Sequence, residues 1–515
     1  MLETELKIAL DPKQEARLRR HAGLTSLRVG NRKTQNLVSV YYDTPDHDLA
    51  KAGIALRLRK VGRRWIQTIK FGKNGGGNGF FSRSEIEMPA PGGRLVLEGP
   101  DPEGMFAEIN RITAGGAVSP VFETRIRRVT DHLKLENGSE IELALDHGEV
   151  VAGDITQPIH EAEIELLSGE VAAVYDVAQM LFESGPVRFG SESKAARGYR
   201  LARGETEPPV SARNAGSLNF DADATVESVA RDVLRDCFAQ IAANMVVVAD
   251  TDLMEGPHQL RVGLRRIRTA FSVFGDALGK EAFTNLSEQA RILGQIVGSL
   301  RDIDVLIDEV VADTGQGLDD KASEALIGVL EKRRTKVRAD VRDYLVKPEC
   351  VNFLFDLGRM IEGRGWLAPS DYSQTARLAA PVGEYAPVLL DKRYKKVSKY
   401  GKKIRKLEVE ALHEMRKELK KLRYTADVFE TIYPGKKVKS YIKSLKTLQD
   451  KFGSLNDAAM VEEYFSGTNA PGRSDAAAQR AVGWILGTLA VQVGQDRPKL
   501  FDSWDEFAKE KPFWS

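Results

Sequence analysis

A chain of 515 residues is too long for one typical domain, and long enough to bury sizeable cores without disulfide staples. Its net charge of +1 hides a local asymmetry, because residues 392–446 carry 19 Lys and Arg against 6 Asp and Glu. Cys237 and Cys350 lie far apart and match no metal or redox spacing, and no apolar run reaches membrane-spanning length. The first residues run straight into a strand with no basic-then-apolar signal, so a cytoplasmic protein in a reducing compartment is expected.

The first strand, Glu3-Thr4-Glu5-Leu6-Lys7, puts Glu3, Glu5 and Lys7 on one face and Leu2, Leu6 and Ile8 on the other. Residues 11–22 carry a helical pattern. Val38–Asp43 reads as a strand running into the turn Asp43-Thr44-Pro45-Asp46, with Tyr41, Tyr42 and Asp43 shaping that corner. Ile54–Lys60 alternates Ile54, Leu56 and Leu58 with Arg57 and Arg59; Trp65–Lys70 brings Thr68 and Lys70 to one side. Residues 73–79 are rich in Gly and Asn, lack the Gly-Lys-Ser/Thr ending of a P-loop, and read as a flexible hairpin. Arg83, Glu85 and Glu87 then share a face, as do Glu123, Arg125 and Arg127. Glu140, Glu142 and Asp146 oppose Ile141, Leu143 and Leu145; Glu161, Glu163 and Glu165 oppose Ala162, Ile164 and Leu166. An amphipathic helix is expected over residues 170–184, and Ser193-Lys194-Ala195-Ala196-Arg197-Gly198-Tyr199 closes the region. His132, His147 and His160 are scattered without metal spacing.

Two readings compete for these strands. One is an open antiparallel sheet with its charged face in water. The other is a closed barrel of about eight strands whose lumen holds the charges. So many strands of mixed sign, with few helices to cover the apolar faces, favour the barrel. Ions buried without partners would cost several kcal/mol each, so such a lumen implies metal ions and an anionic ligand.

Glu3-x-Glu5-x-Lys7, Arg57 with Arg59, Arg83-x-Glu85-x-Glu87, Arg125-x-Arg127, Glu161-x-Glu163-x-Glu165 and Ser193-Lys194 resemble, in that order, the CYTH or triphosphate tunnel metalloenzyme superfamily. The resemblance covers about residues 1–202. It implies an antiparallel eight-stranded tunnel barrel acting on triphosphates with Mg2+ or Mn2+. Hard cations take oxygen ligands, for which Glu3, Glu5, Asp146, Glu161, Glu163 and Glu165 are the candidates. Lys7, Arg57, Arg59, Lys70, Arg83, Arg125, Arg127, Lys194 and Arg197 are the candidates for the polyanion. Glu5, Lys7, Glu163 and Lys194 are expected at the reacting centre, with Glu5 or Glu163 as proton acceptor.

Residues 203–217 contain Pro208-Pro209 and read as a linker. From residue 218 the periodicity is helical. His258-x-x-Arg261-x-x-x-Arg265-Arg266-x-Arg268 aligns with His413-x-x-Arg416-Lys417-x-x-Lys420-Lys421-x-Arg423, and Gly298-Ser-Leu-Arg301-Asp302 with Gly453-Ser-Leu-Asn456-Asp457, both at an offset of 155. His258, Arg261, Arg265 and Arg268 share one face, opposite Leu260, Leu264, Ile267, Phe271 and Phe274, as do His413, Arg416, Lys420 and Arg423, opposite Met415, Leu419, Leu422 and Phe429. Like charges at this spacing repel, which favours an anion-binding surface over a merely solvated one. These paired His-x-x-Arg helices resemble the CHAD domain over residues 218–515. The resemblance implies two pseudo-symmetric four-helix bundles binding inorganic polyphosphate through His258, Arg261, Arg265, Arg268, His413, Arg416, Lys417, Lys420 and Arg423.

The expected function is metal-dependent hydrolysis of tripolyphosphate to pyrophosphate and phosphate, with association to polyphosphate granules. Alternatives are a class IV-type adenylate cyclase, a thiamine-triphosphatase, or a non-catalytic protein docking on polyphosphate or nucleic acid. Nucleic acid is disfavoured, since Tyr394, Tyr400, Tyr424 and Tyr441 form no recognisable stacking array.

Overall fold

The computed structural model describes residues 2–72, 78–101, 104–314, 317–433, 435–467, 470 and 472–515, except the side chains of residues 409, 454, 456 and 457. Residues 73–77 of the glycine-rich stretch, and the side chains of Asn456 and Asp457, therefore lie outside the described residues. The chain divides into two compact units. One comprises Met1–Ala212, Met245–Thr251 and Leu345–Gly365; the other comprises Arg213–Asn244, Asp252–Tyr344 and Trp366–Ser515.

The first unit is built on strands β1 (Leu2–Ala9), β2 (Lys33–Asp43), β3 (Ile54–Val61), β4 (Arg64–Phe71), β5 (Phe80–Pro89), β6 (Ser119–Lys134), β7 (Glu140–Ala152), β8 (Ile155–Ser168) and the short β9 (Arg188–Phe189). Their order is β5-β4-β3-β2-β6-β7-β8-β1-β9, and an additional β5–β1 pairing closes the first eight into an antiparallel barrel. Closure removes the open edges that a sheet of this size would otherwise present. Cross-strand partners point to the same face, so the register fixes what faces inward. Lys7 opposes Glu163, Glu5 opposes Glu165, and Glu3 opposes Arg83.

The outward faces of β1, β6, β7 and β8 supply Leu6, Ile8, Val129, Leu133, Leu143 and Ile164 to a core. It is roofed by the helices Pro12–Leu18, Ala22–Leu27 and Ala172–Leu181, and by the distant helix Pro348–Glu362, which contributes Val351 and Phe355. Gly358 is required in that last helix, because a Cβ there would come within 2.3 Å of the Tyr175 ring. A second outer core joins Ile54, Leu56, Ile69 and Ile86 to Met105, Phe106 and Ile109 of the helix Met105–Ile112. One end of the lumen is filled differently. There the helix Lys194–Ala202, N-capped by Ser193, lays Tyr199 and Leu201 on Tyr41, Phe122, Ile126, Val150 and Ile159.

The second unit is helical. Val226–Asp250 as far as Asn244, Glu255–Leu278, Thr284–Val305 and Asp320–Leu345 as far as Tyr344 are followed by Val382–Gly401, Val409–Val428, Lys436–Ser466 and Ala476–Phe507. The paired helices start 156, 154, 152 and 156 residues apart, close to the spacing of the sequence motifs. Apolar faces hold both basic helices down: Leu260, Leu264, Ile267 and Phe274 are buried in one, Met415, Leu419, Leu422 and Phe429 in the other. No described helix is long and apolar enough to cross a membrane.

Candidate active site in the barrel lumen

The inward rows enclose a cavity of about 290 Å3 lined by charged side chains of both signs, including Glu3, Lys7, Arg57, Arg59, Lys70, Arg83, Arg128, Glu142, Glu163, Glu165 and Lys194. Backbone contacts fix the strand that carries Lys7. Its N–H donates to the Gly79 carbonyl at 2.8 Å, and its own carbonyl accepts from Gly190 at 2.9 Å. Gly79 has φ of +75°, and a Cβ there would lie 2.7 Å from the Lys7 carbonyl oxygen, so no larger residue fits. Lys194 enters the lumen from the first turn of its helix, just after the Ser193 cap.

The charges are sorted along the lumen. In the middle, Asp146, Glu161 and Glu163 offer carboxylate oxygens within 4.8 Å of one another. Lys194 bridges all three, at 2.7 Å to Asp146, 2.5 Å to Glu161 and 2.7 Å to Glu163. Arg128 forks onto Asp146 at 2.8 and 2.7 Å and also reaches Glu163, which is bound by Lys7 as well. Burial alone would raise the Glu163 pKa, but Lys194, Lys7 and Arg128 outweigh it and hold the group well below the usual carboxylate range. Burial likewise opposes the charge on Lys7, and Glu163 and Glu5 reverse that and hold its ammonium above the ordinary value.

On one side of this cluster, carboxylates are in excess. Glu165 stands directly across from Glu5 and Glu142 in the register. Burial, then the negative charges of Glu3 and Glu5, push its pKa up to about 8. On the other side, cations are in excess. Arg57 has Thr68 at 3.2 Å and only distant carboxylates, Glu85 and Glu87, each at 3.7 Å. Arg59 donates to Ser39 at 3.1 Å and has no carboxylate partner among the described residues. Burial and the neighbouring charges of Arg57 and Arg128 push its pKa down to about 10. Such a lumen can take a cation at one side and an anion at the other.

The structure brings together most of the residues expected from sequence. Glu5 is buried, 3.2 Å from Lys7 and 3.5 Å from Arg83; Lys70 holds Glu3 at 2.6 Å; Arg197 reaches Glu161 at 3.7 Å. Arg125 and Arg127 are corrections. Both point outward and are exposed, Arg125 pairing with Glu123 and, at 3.5 Å, with Glu149. The inward face of β6 is Phe122, Thr124, Ile126 and Arg128, since Arg128 opposes Asp146. Its apolar start resembles a core face because that end of the lumen is filled with aromatic side chains, and a one-residue slip then exchanges every side chain. An Arg128 paired with Asp146 across neighbouring strands is the signal that would have found it. Asp43 is a scaffold group, accepting the N–H groups of Thr44, Leu49 and Ala50. The histidines are not all scattered: His147 and His160 are cross-strand neighbours, with Glu15 beside them.

In the helical unit, a cavity of about 640 Å3 gathers His258, Arg265, Arg266, Arg423, Tyr424 and Lys446 from both basic helices and the helix that follows the second. Arg265 donates to the Tyr424 hydroxyl at 2.9 Å, and the Arg423 guanidinium lies 4.6 Å from that ring's centre. Burial, then the charge of Arg301, lower the His258 pKa. Arg261, Arg268, His413, Arg416, Lys417 and Lys420 do not line this cavity. Arg261 pairs with Asp302 at 2.8 Å and Lys417 with Glu414 at 2.8 Å, while His413 and Arg416 line a smaller cavity with Phe452 and Arg497.

A CYTH domain model matches residues 1–199 and a CHAD domain model residues 232–465. The chain joins a CYTH domain to a CHAD domain. Over 205 residues, 39% of its length, it is 32% identical to the inorganic triphosphatase of Haemophilus influenzae. It spans about half of that relative, 54%. An uncharacterised protein of Mycobacterium tuberculosis is 26% identical over 433 residues, 78% of this chain and 77% of the relative. The solved CHAD domain of the plant Ricinus communis superposes on 58% of this chain and 98% of its own, with a TM-score of 0.51 and 22% identity, a likeness of fold.

Proposed function

We propose that this CYTH–CHAD chain is a divalent-metal-dependent inorganic triphosphatase, cleaving tripolyphosphate to pyrophosphate and phosphate. The observation that carries the reading is the paired imbalance in the lumen: Arg59 without a carboxylate partner among the described residues, and Glu165 pushed up to about 8 by burial and then by the charges of Glu3 and Glu5. A triphosphate beside the arginines and a divalent cation beside the carboxylates remove both penalties together. The named activity of the Haemophilus influenzae relative supports it for the barrel.

The all-oxygen donor set fits Mg2+ or Mn2+. Glu3, Glu5 and Glu165 would hold one ion; a second, at the Asp146, Glu161 and Glu163 group, would take the place of the Lys194 ammonium that bridges those carboxylates. When bound, such an ion supplies neutralisation of phosphoryl oxygens and acidifies a coordinated water. Arg57, Arg59, Arg83, Lys70 and Arg128 orient the phosphates, arginine forks suiting paired oxygens. Phosphoryl transfer needs positioning and charge compensation more than a nucleophilic side chain. Lys194 and Lys7 act chiefly by fixing the central carboxylates. Glu163, held by three cations, is a poor proton acceptor, so Glu5 is the better of the two candidates.

The CHAD half is proposed to form two four-helix bundles and to bind inorganic polyphosphate, with His258, Arg265 and Arg423 as the central contacts. A substrate panel with Mg2+ and Mn2+ tests the enzymatic reading. Tripolyphosphate should be turned over far faster than pyrophosphate, ATP or thiamine triphosphate; cyclic AMP formation from ATP, or a preference for thiamine triphosphate, would replace it.

A further inference from the structure

Directly behind the central carboxylates, on the outer face of the same two strands, lies a cluster that the triphosphatase reading leaves unused. His147 on β7 and His160 on β8 are directly opposed in the register, and their rings meet edge to face with centroids 4.2 Å apart. Glu15, on the helix Pro12–Leu18, brings its Oε2 to 3.4 Å from His147 Nδ1 and 3.6 Å from His160 Nδ1. These separations are long for charged hydrogen bonds, which close to about 2.7–2.9 Å. They match the edges of a tetrahedron around a zinc-like ion, about 3.4 Å for bonds of about 2.0–2.1 Å.

Two further features fit a ligand site. Nδ1 of His160 is buried and has no hydrogen-bond partner. The other carboxylate oxygen of Glu15 is bound by Arg19 at 2.6 Å, which aims Oε2 at the two rings. His147 is half exposed, so the fourth position opens to solvent. Glu15 is buried and its residue sits in the first turn of a helix locked by an Asp11 capping box, so the donors are held by rigid elements.

We propose that Glu15, His147 and His160 form a second metal site, binding one borderline transition-metal dication such as Zn2+ or Co2+ through two imidazole nitrogens and one carboxylate oxygen. It differs in kind from the lumen, whose all-oxygen set suits hard cations. It ties the helix Pro12–Leu18 to β7 and β8 behind Asp146 and Glu161.

The test uses the full chain without a polyhistidine tag, stripped with a chelator and then held in excess Mg2+ to fill the lumen. Co2+ is titrated in and followed by its visible absorption and by calorimetry. One Co2+ per chain in a tetrahedral spectrum is expected, with affinity falling at least tenfold in His147→Gln and His160→Gln and unchanged in His132→Gln. Circular dichroism confirms that each variant is folded. No tetrahedral Co2+ in the wild type, or the same binding in all three variants, would overturn the proposal. Because triphosphate turnover is not the readout, failure here leaves the reading of the lumen standing, and failure of that reading leaves this site standing.

Discussion

Arg59 and Glu165 occupy the same lumen, yet Arg59 carries a charge that no described carboxylate pairs with, while burial and the charges of Glu3 and Glu5 make Glu165 hold its proton, and both conditions are costly in a buried site. Replacing Arg59 should therefore remove a strain as well as a ligand. For Arg59→Ala, KM for tripolyphosphate is expected to rise roughly 10- to 100-fold, the equivalent of one charge-assisted hydrogen bond of about 1.5–3 kcal/mol. Thermal stability should hold or increase. Arg125→Ala, on the outer face, should stay within about twofold of wild type in steady-state kinetics. Glu165 gives a pH signature. Its folded pKa lies above the ordinary carboxylate value, so between about 4.5 and 8 the folded chain keeps a proton that the unfolded chain releases. Stability of the metal-free protein should fall as pH rises through that window. Denaturation at pH 6 and pH 8 should show a smaller fall for Glu165→Gln than for wild type, and equal falls would contradict the assignment.

Elements place these side chains, and they differ in how readily they could be read. Alternation identified the charged strands β1, β3, β7 and β8 because each holds a stretch in which charged and apolar residues alternate, such as Glu161 to Leu166 in β8. It failed on β6, where an inward face begins with Phe122 and Ile126 and only then reaches Arg128. Lys194 was legible as a candidate for the lumen, but its delivery by the N-terminal turn of a helix was not, since Ser193 caps through a single side chain-to-backbone bond. The His147–His160 pairing was hidden for a related reason: the two lie 13 positions apart and meet only through the β7–β8 hairpin register. Least legible of all was the helix Pro348–Glu362, whose Phe355 is fully buried against Phe182 and Phe189. Phe189 belongs to β9, which pairs with β1 beside Lys7. Phe355→Ala should cost about 3–5 kcal/mol of stability, measured by chemical denaturation, and loosen the strand that positions Lys7.

At the scale of the whole molecule, the barrel buries a network of ions that is a weak source of stability by itself. Its apolar outer cores carry the fold, so the lumen is free to be arranged for a ligand. The membership of each half was legible because both signatures are short, ordered and charged; the segment 345–365, which packs with the barrel unit, has no such signature. The most direct test of the central claim is phosphate release from tripolyphosphate by the full chain, compared with Glu5→Gln and Glu163→Gln, in Mg2+ and in chelator. Turnover by the wild type in Mg2+, abolished by chelator and reduced at least a hundredfold in both folded variants, is the predicted result. Undiminished turnover in chelator, or in either variant, would contradict a lumen in which cation and polyanion are bound together.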